Sequence, residues 1–172
     1  DKQTILLFQN LYRIYARLNR IFWQDLWAAS LIRKNNPKEH YDIGSSIQGF
    51  IAHLCSYRDN INLIDVRPLD KNIPGVTFIQ DDARSLKHLK DSSIESMSSL
   101  CAVEHFGLGR YEDEVNPEGC FKALHEMQRV LKKGGVLYLS VPIGKEHLEF
   151  NAHRIFYPQT IIETLSEMKL IQ

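Results

Sequence analysis

The chain has 172 residues, enough for one ordinary domain to bury a core without disulfides or metals. Lysine plus arginine number 21 and aspartate plus glutamate number 21, so no global positive field exists to draw nucleic acid or an anionic membrane. Cys55, Cys101 and Cys120 are odd in number and far apart, matching neither a disulfide framework nor a metal knuckle, and point to a reducing, cytoplasmic setting.

No apolar run reaches about 18 residues, so no integral membrane segment is expected; no cleavable leader is legible either. The start at Asp1 in place of Met leads us to expect that the natural N-terminus lies upstream. The first segment, TILLFQNLYRIYARLNRIFWQDLWAASLIRK, sets Leu7, Leu11, Ile14, Leu18, Ile21 and Phe22 at helical spacing with Arg13, Arg17 and Arg20 between them. That spacing predicts one or two amphipathic helices packed on the remainder of the chain, with a membrane-surface helix as the lesser alternative.

From Tyr41 short apolar runs alternate with helical segments, the pattern of β-α-β units. Strands are expected over 40–43, 62–65, 76–80, 94–100 and 136–141, and a helix over 47–57. A further helix opens at Asn116-Pro117 and closes at Lys132-Lys133-Gly134-Gly135, and a last one runs from Pro158 to about Met168. The expected fold is a doubly wound, mainly parallel α/β sheet, with a helical cap over 1–39 and a ligand-binding domain over 40–172. Leu170 and Ile171 look like the opening of another strand; without more strands the fifth would leave an open edge, so a continuation or a covering partner is expected.

YDIGSSIQGF follows a strand and opens a helix, the position where open α/β sheets bind nucleotides. Gly44 and Gly49 match the outer glycines of G-x-G-x-x-G, but Ser46 replaces the middle one and Asp42 would repel a phosphate. A ligand with a positively charged methionine moiety reverses that preference, favouring S-adenosylmethionine over a nicotinamide dinucleotide. Asp65 closes the second strand at the spacing of a ribose-binding acid. FIQDDA places Asp81 or Asp82 to accept from an adenine amino group, with the Ala83 N–H near the ring.

Through YDIGSSIQG, NLIDV, FIQDDA, SLCAVEH and RVLKKGGVLYLSVP the chain resembles class I S-adenosylmethionine-dependent methyltransferases. Through QDLWAA, DIGSSIQGFIAHL, IDVRPL, SSLCAVEHFGLGRY and FNAHRIF it is similar, more narrowly, to the methyltransferase-like family of domain of unknown function 268, whose bacterial members often accompany surface-polysaccharide genes. The resemblance implies a Rossmann-like fold and a cofactor site over Asp42, Gly44, Ser45, Ser46, Gly49, Asp65, Val66, Arg67, Asp81, Asp82, Ala83 and Cys101. The alternating-glycine turn of the family is here Gly44-Ser45-Ser46-Ile47-Gln48-Gly49.

Methyl transfer to a hydroxyl needs alignment and a proton acceptor. His105 leads as base, with Glu104 and His153 as further candidates, while Arg110, Tyr111, Asn151 and Arg154 are candidates for holding the acceptor. Quinone-pathway relatives hold a metal with two glutamates and a histidine around this segment, but Cys101 stands in place of the first glutamate, so no metal is expected. Trp23, Gln24, Asp25 and Trp27 are expected to form a lid. The reading is O-methylation of a sugar, sugar nucleotide or other small polar acceptor, for which the resemblance implies a place in surface-polysaccharide biosynthesis; a non-catalytic binding or scaffolding module is the alternative, with a nicotinamide enzyme behind both.

Overall fold

The computed structural model describes residues 2–11, 17–111, 113–149 and 152–171, with the backbone alone for 7–11 and 17–20. In chain order the elements are β1 (Thr4–Leu11), α1 (Arg17–Asn35), β2 (His40–Ile43), a π-helical turn (Ile47–Ile51) running into α2 (Ala52–Cys55), β3 (Ile61–Asp65), β4 (Val76–Gln80) and β5 (Ile94–Leu100). A single 3-10 turn (Val103–His105) comes next, then α3 (Gly119–Val130), β6 (Leu131–Ile143), the short strands β7 (His147–Leu148) and β8 (Arg154–Ile155), α4 (Pro158–Thr164) and β9 (Lys169–Leu170).

Among the described residues the main sheet is seven-stranded in the order β4-β3-β2-β5-β6-β1-β9, and all its pairings are parallel. Strands buried on both faces supply two cores by alternation. Leu6, Leu63 and Tyr138 face α1 and α2, whereas Ile5, Ile64, Leu137 and Leu139 face α3 and α4. Helix α3 is anchored through Cys120, Ala123, Leu124, Met127 and Val130, buried at helical spacing. Helix α1 buries Ala28, Ala29 and Ile32 and ends with Arg33 and Lys34 near its negative pole; Asn36 then turns left-handed at φ 44° before Pro37.

The five expected strands are all present, and three expectations are corrected. Thr4–Leu11 is a strand, not helix, so the N-terminal stretch is not wholly a helical cap. TILLF is a short apolar run that periodicity alone assigns to neither type, and pairing with β6 from Thr4↔Val136 to Leu11↔Ile143 decides it. The same pairing removes the open edge expected at the fifth strand. Helix α3 ends at Val130 and Leu131 is already extended; Gly134, at φ +78°, serves instead where the β5–β6 register shifts between Ile94 and Ser96.

Leu124 is fully buried on α3, so Leu124→Ala is expected to cost about 2–5 kcal/mol in urea unfolding. Lys122→Ala, on the exposed side of the same helix, should stay within about 0.5 kcal/mol.

Candidate functional site

The carboxyl ends of β2, β3, β4 and β5 meet where the sheet runs one way from β2 to β4 and the other way from β5 to β6, the switch point at which such sheets bind ligands. Gly44 follows β2 in the left-handed region at φ +70°, and a Cβ there would stand 3.2 Å from the Ala102 Cβ. The turn is fastened from beneath. Asp42 is fully buried; its Oδ1 accepts from Ser45 N at 3.0 Å, and its Oδ2 accepts from the hydroxyls of Ser45 at 2.7 Å and Ser98 at 2.5 Å. Burial pushes this carboxyl up to about 6, against the pull of the three hydrogen bonds. The Ser45 hydroxyl also accepts from Leu100 N at 2.9 Å.

Behind Asp42, His40 bridges the hydroxyls of Ser96 and Ser98, held neutral because burial pushes its pKa down to about 3. Since Ser98 donates to Asp42, its oxygen accepts from His40 Nε2–H, leaving Nδ1 to accept from Ser96. Ser46 caps the π-helical turn by accepting from Gly49 N at 3.2 Å. Gly49 makes room for α1, because a Cβ there would lie 2.6 Å from Asp25 Oδ2.

The two acids expected to meet a nucleoside are each held by an arginine two residues on. Asp65 Oδ1 accepts from Arg67 N and Nε at 2.9 and 3.0 Å, and Oδ2 accepts from Nη2 at 2.7 Å. Asp82 accepts from Arg84 N, Nε and Nη2 in the same way. Burial works to raise the Asp82 carboxyl, but the bonds from Arg84 together outweigh it and keep it below the usual range.

On the far wall, Cys101 takes a left-handed φ of 51°, and desolvation pushes its half-buried thiol up to about 11. Gln24 of α1 reaches this wall, its Oε1 accepting from Ser140 Oγ at 2.5 Å and facing Cys101 Sγ at 3.5 Å. His105 Nδ1 donates to the Ala152 carbonyl at 2.8 Å. Burial holds its imidazole below the ordinary value, and its ring meets Tyr111 and His153 edge-on at 5.5 and 6.0 Å. Glu104 is buried, its Oε2 has no hydrogen-bond partner among the described residues, and burial pushes it up to about 8.

Of the residues expected to hold a cofactor, Gly44, Asp65, Val66, Arg67, Asp81, Asp82, Ala83 and Cys101 line one cleft, with His105 and Tyr111 on its wall. Asp42, Ser45, Ser46 and Gly49 do not line it. Asp42 and Ser45 lie beneath the turn because their polar atoms are consumed by each other and by β5, and Ser46 and Gly49 shape the turn and its contact with α1. Glu104 is buried outside the cleft lining.

Arg154 donates to the carbonyls of Phe106 at 2.7 Å and Pro117 at 3.1 Å, so it holds the loop that carries His105. Arg110 bonds the Ala152 carbonyl at 2.8 Å, and Asn151 lies outside the described residues. Trp23, expected in a lid, is 63% exposed and stacks edge-on with Phe22; Trp27 packs into the core beside α2. The sequence reading missed Arg84, although D-x-R recurs in IDVR and DDAR, and it missed Asp113, whose carboxylate accepts from Gly107 N and Tyr111 N to fold the loop.

Glu104 binds its proton more tightly in the folded chain, at about 8, than at its ordinary 4.5. Its contribution to stability is complete below that ordinary value and is lost as pH rises through the folded one. Urea unfolding should therefore show stability falling between about pH 5 and 8 more steeply in the native protein than in Glu104→Gln; equal slopes would refute the assignment.

The family model described as "Caenorhabditis protein of unknown function, DUF268" matches residues 76–168, more than half of the chain. No curated protein matches the chain in sequence. Among solved structures, an S-adenosylmethionine-dependent methyltransferase from Archaeoglobus fulgidus is 17% identical with a TM-score of 0.59, over 90% of this chain and 73% of that one. The 1,6-didemethyltoxoflavin-N1-methyltransferase of Burkholderia thailandensis, solved with 1,6-didemethyltoxoflavin and S-adenosylhomocysteine bound, is 13% identical with a TM-score of 0.59, over 88% and 71%. At such identities the likeness is one of fold. The chain belongs to the family of domain of unknown function 268 and has the fold of class I S-adenosylmethionine-dependent methyltransferases.

Proposed function

We propose that the protein is an S-adenosylmethionine-dependent methyltransferase acting on a hydroxyl of a small polar acceptor. The observation that carries this reading is the charge of the cleft. Asp65, Asp81, Asp82 and Asp113 line it against Arg67 and Arg84, and each of those guanidinium groups is already bound to a carboxylate. In the unliganded cleft a pyrophosphate finds no unpaired cation among the described lining residues, whereas a nucleoside bearing positive charge meets a carboxylate excess.

Asp65 would hold the ribose hydroxyls, Asp82 and the Ala83 N–H the adenine, and the turn at Gly44 the methionine portion. When bound, the cofactor supplies an electrophilic methyl group on a positively charged sulfur. The remaining chemistry is proton removal. With Nδ1–H committed to Ala152, the lone pair of His105 sits on Nε2, and the depressed basicity keeps the ring neutral near pH 7. Nε2 takes the acceptor's hydroxyl proton and later gives it to water. The family resemblance supports a sugar or sugar nucleotide of surface-polysaccharide biosynthesis as acceptor, and the three scattered free cysteines support a cytoplasmic setting.

Calorimetric titration with S-adenosylhomocysteine, with NAD as control, tests the reading. Binding in the micromolar range is expected from the first ligand alone. Asp65→Ala and Asp82→Ala should each weaken it about tenfold or more, the worth of a hydrogen bond to a charged group. His105→Ala should keep the ligand but lose transfer. No binding by the folded protein would favour the non-catalytic module.

A further inference from the structure

Three side chains converge on Tyr111 at the mouth of the cleft. The Arg67 guanidinium lies 4.6 Å and that of Arg110 5.5 Å from the ring centroid, and His105 meets the ring edge-on at 5.5 Å. Arg110 commits one N–H, from Nη1 to the Ala152 carbonyl, and forms no ion pair among the described residues. Asp113 accepts from backbone N–H groups of its own loop, and Asp82 is bound by Arg84.

Arg67 is tied to Asp65, and the tie is in conflict with the ribose. A carboxylate offers about four lone-pair sites, and Arg67 N, Nε and Nη2 occupy three of them on Asp65. Two ribose hydroxyls need two. Arg67 must therefore surrender at least one bond when Asp65 takes a ribose in bidentate fashion, and the side-chain bonds yield more readily than the one from the backbone. The donors set free belong to a guanidinium already stacked on Tyr111, the ring that Arg110 and the base candidate His105 also meet.

We infer that Arg67 and Arg110, gathered on Tyr111, form an anion-binding part of the acceptor site, which takes a phosphate or carboxylate carried by a small hydroxylated acceptor. Occupation of Asp65 by an adenosyl ligand strengthens this site by freeing at least one side-chain donor of Arg67. The inference rests on the cofactor reading proposed above. Planar guanidinium forks suit both anions, and a stacked aromatic fixes their plane.

The test titrates glycerol 3-phosphate, glycerate and glycerol into the protein with and without saturating S-adenosylhomocysteine, following the arginine Nε–H resonances of 15N-labelled protein. Either anion or both should bind in the millimolar range, about threefold or more tighter with S-adenosylhomocysteine present, since coupling between two sites is reciprocal. Glycerol should not bind. The better of the two anions identifies the group recognised. Arg110→Met, an exposed position that leaves the core intact, and Arg67→Met should each weaken the anion about tenfold. Glycerol binding as well as the anions, or methionine variants with unchanged anion affinity, would overturn the inference. Failure of S-adenosylhomocysteine to bind would sink the cofactor reading instead, and the anion titrations of the unliganded protein would still decide the role of Arg110.

Discussion

A single buried carboxylate organises the ligand end of the sheet. An ionised carboxyl taken out of water is tolerated only when its oxygens find donors, and Asp42 finds three, two of them from Ser45. Because the Ser45 hydroxyl also receives Leu100 N, satisfying Asp42 locks the turn after β2 onto the end of β5. The alternating-glycine turn reaches close approach by lacking side chains, whereas this chain fixes the same place with side-chain bonds. Only at Gly44 does a positive φ still demand glycine.

The rims of the cleft obey a second rule. Asp65 and Asp82 each carry an arginine two residues along, so neither stands as a bare charge before a ligand arrives. These pairs are partly exposed, and such pairs contribute little to stability. Their effect is on geometry: the carboxylates are oriented in advance, and the competition a ligand must win is local. The loop opposite is held by main-chain contacts, with Arg154 on the carbonyls of Phe106 and Pro117 and Asp113 on the N–H groups of Gly107 and Tyr111.

Much of this was legible in the order of residues. β-branched and apolar runs bounded by turn signals located β2 to β6, and the acids at their ends located the cleft, because in parallel sheets the strand end and the ligand site coincide. What escaped was set by contacts distant in sequence. Ser98 reads as one of several serines in a strand until Asp42 is placed beside it, and Gly49 reads as a phosphate glycine until Asp25 of α1 packs against it. Asp42 itself was placed at the ligand because sequence shows its charge and not its burial. The helix expected over Thr4–Leu11 failed for a similar reason: only the waiting flank of β6 distinguishes strand from helix there.

That first strand also shapes how the molecule comes into being. Residues 4–11 pair with 136–143, so the earlier stretch leaves the ribosome long before its partner in the sheet. Closing a loop of that length carries an entropic penalty that grows only slowly with length, but a contact so remote along the chain slows the search for it. The half of the sheet holding the cleft, β2 to β5, draws on nearer partners and can condense earlier. An apolar strand left unpaired in the meantime is a template for mispairing, and production of the protein therefore hinges on how that interval is spent.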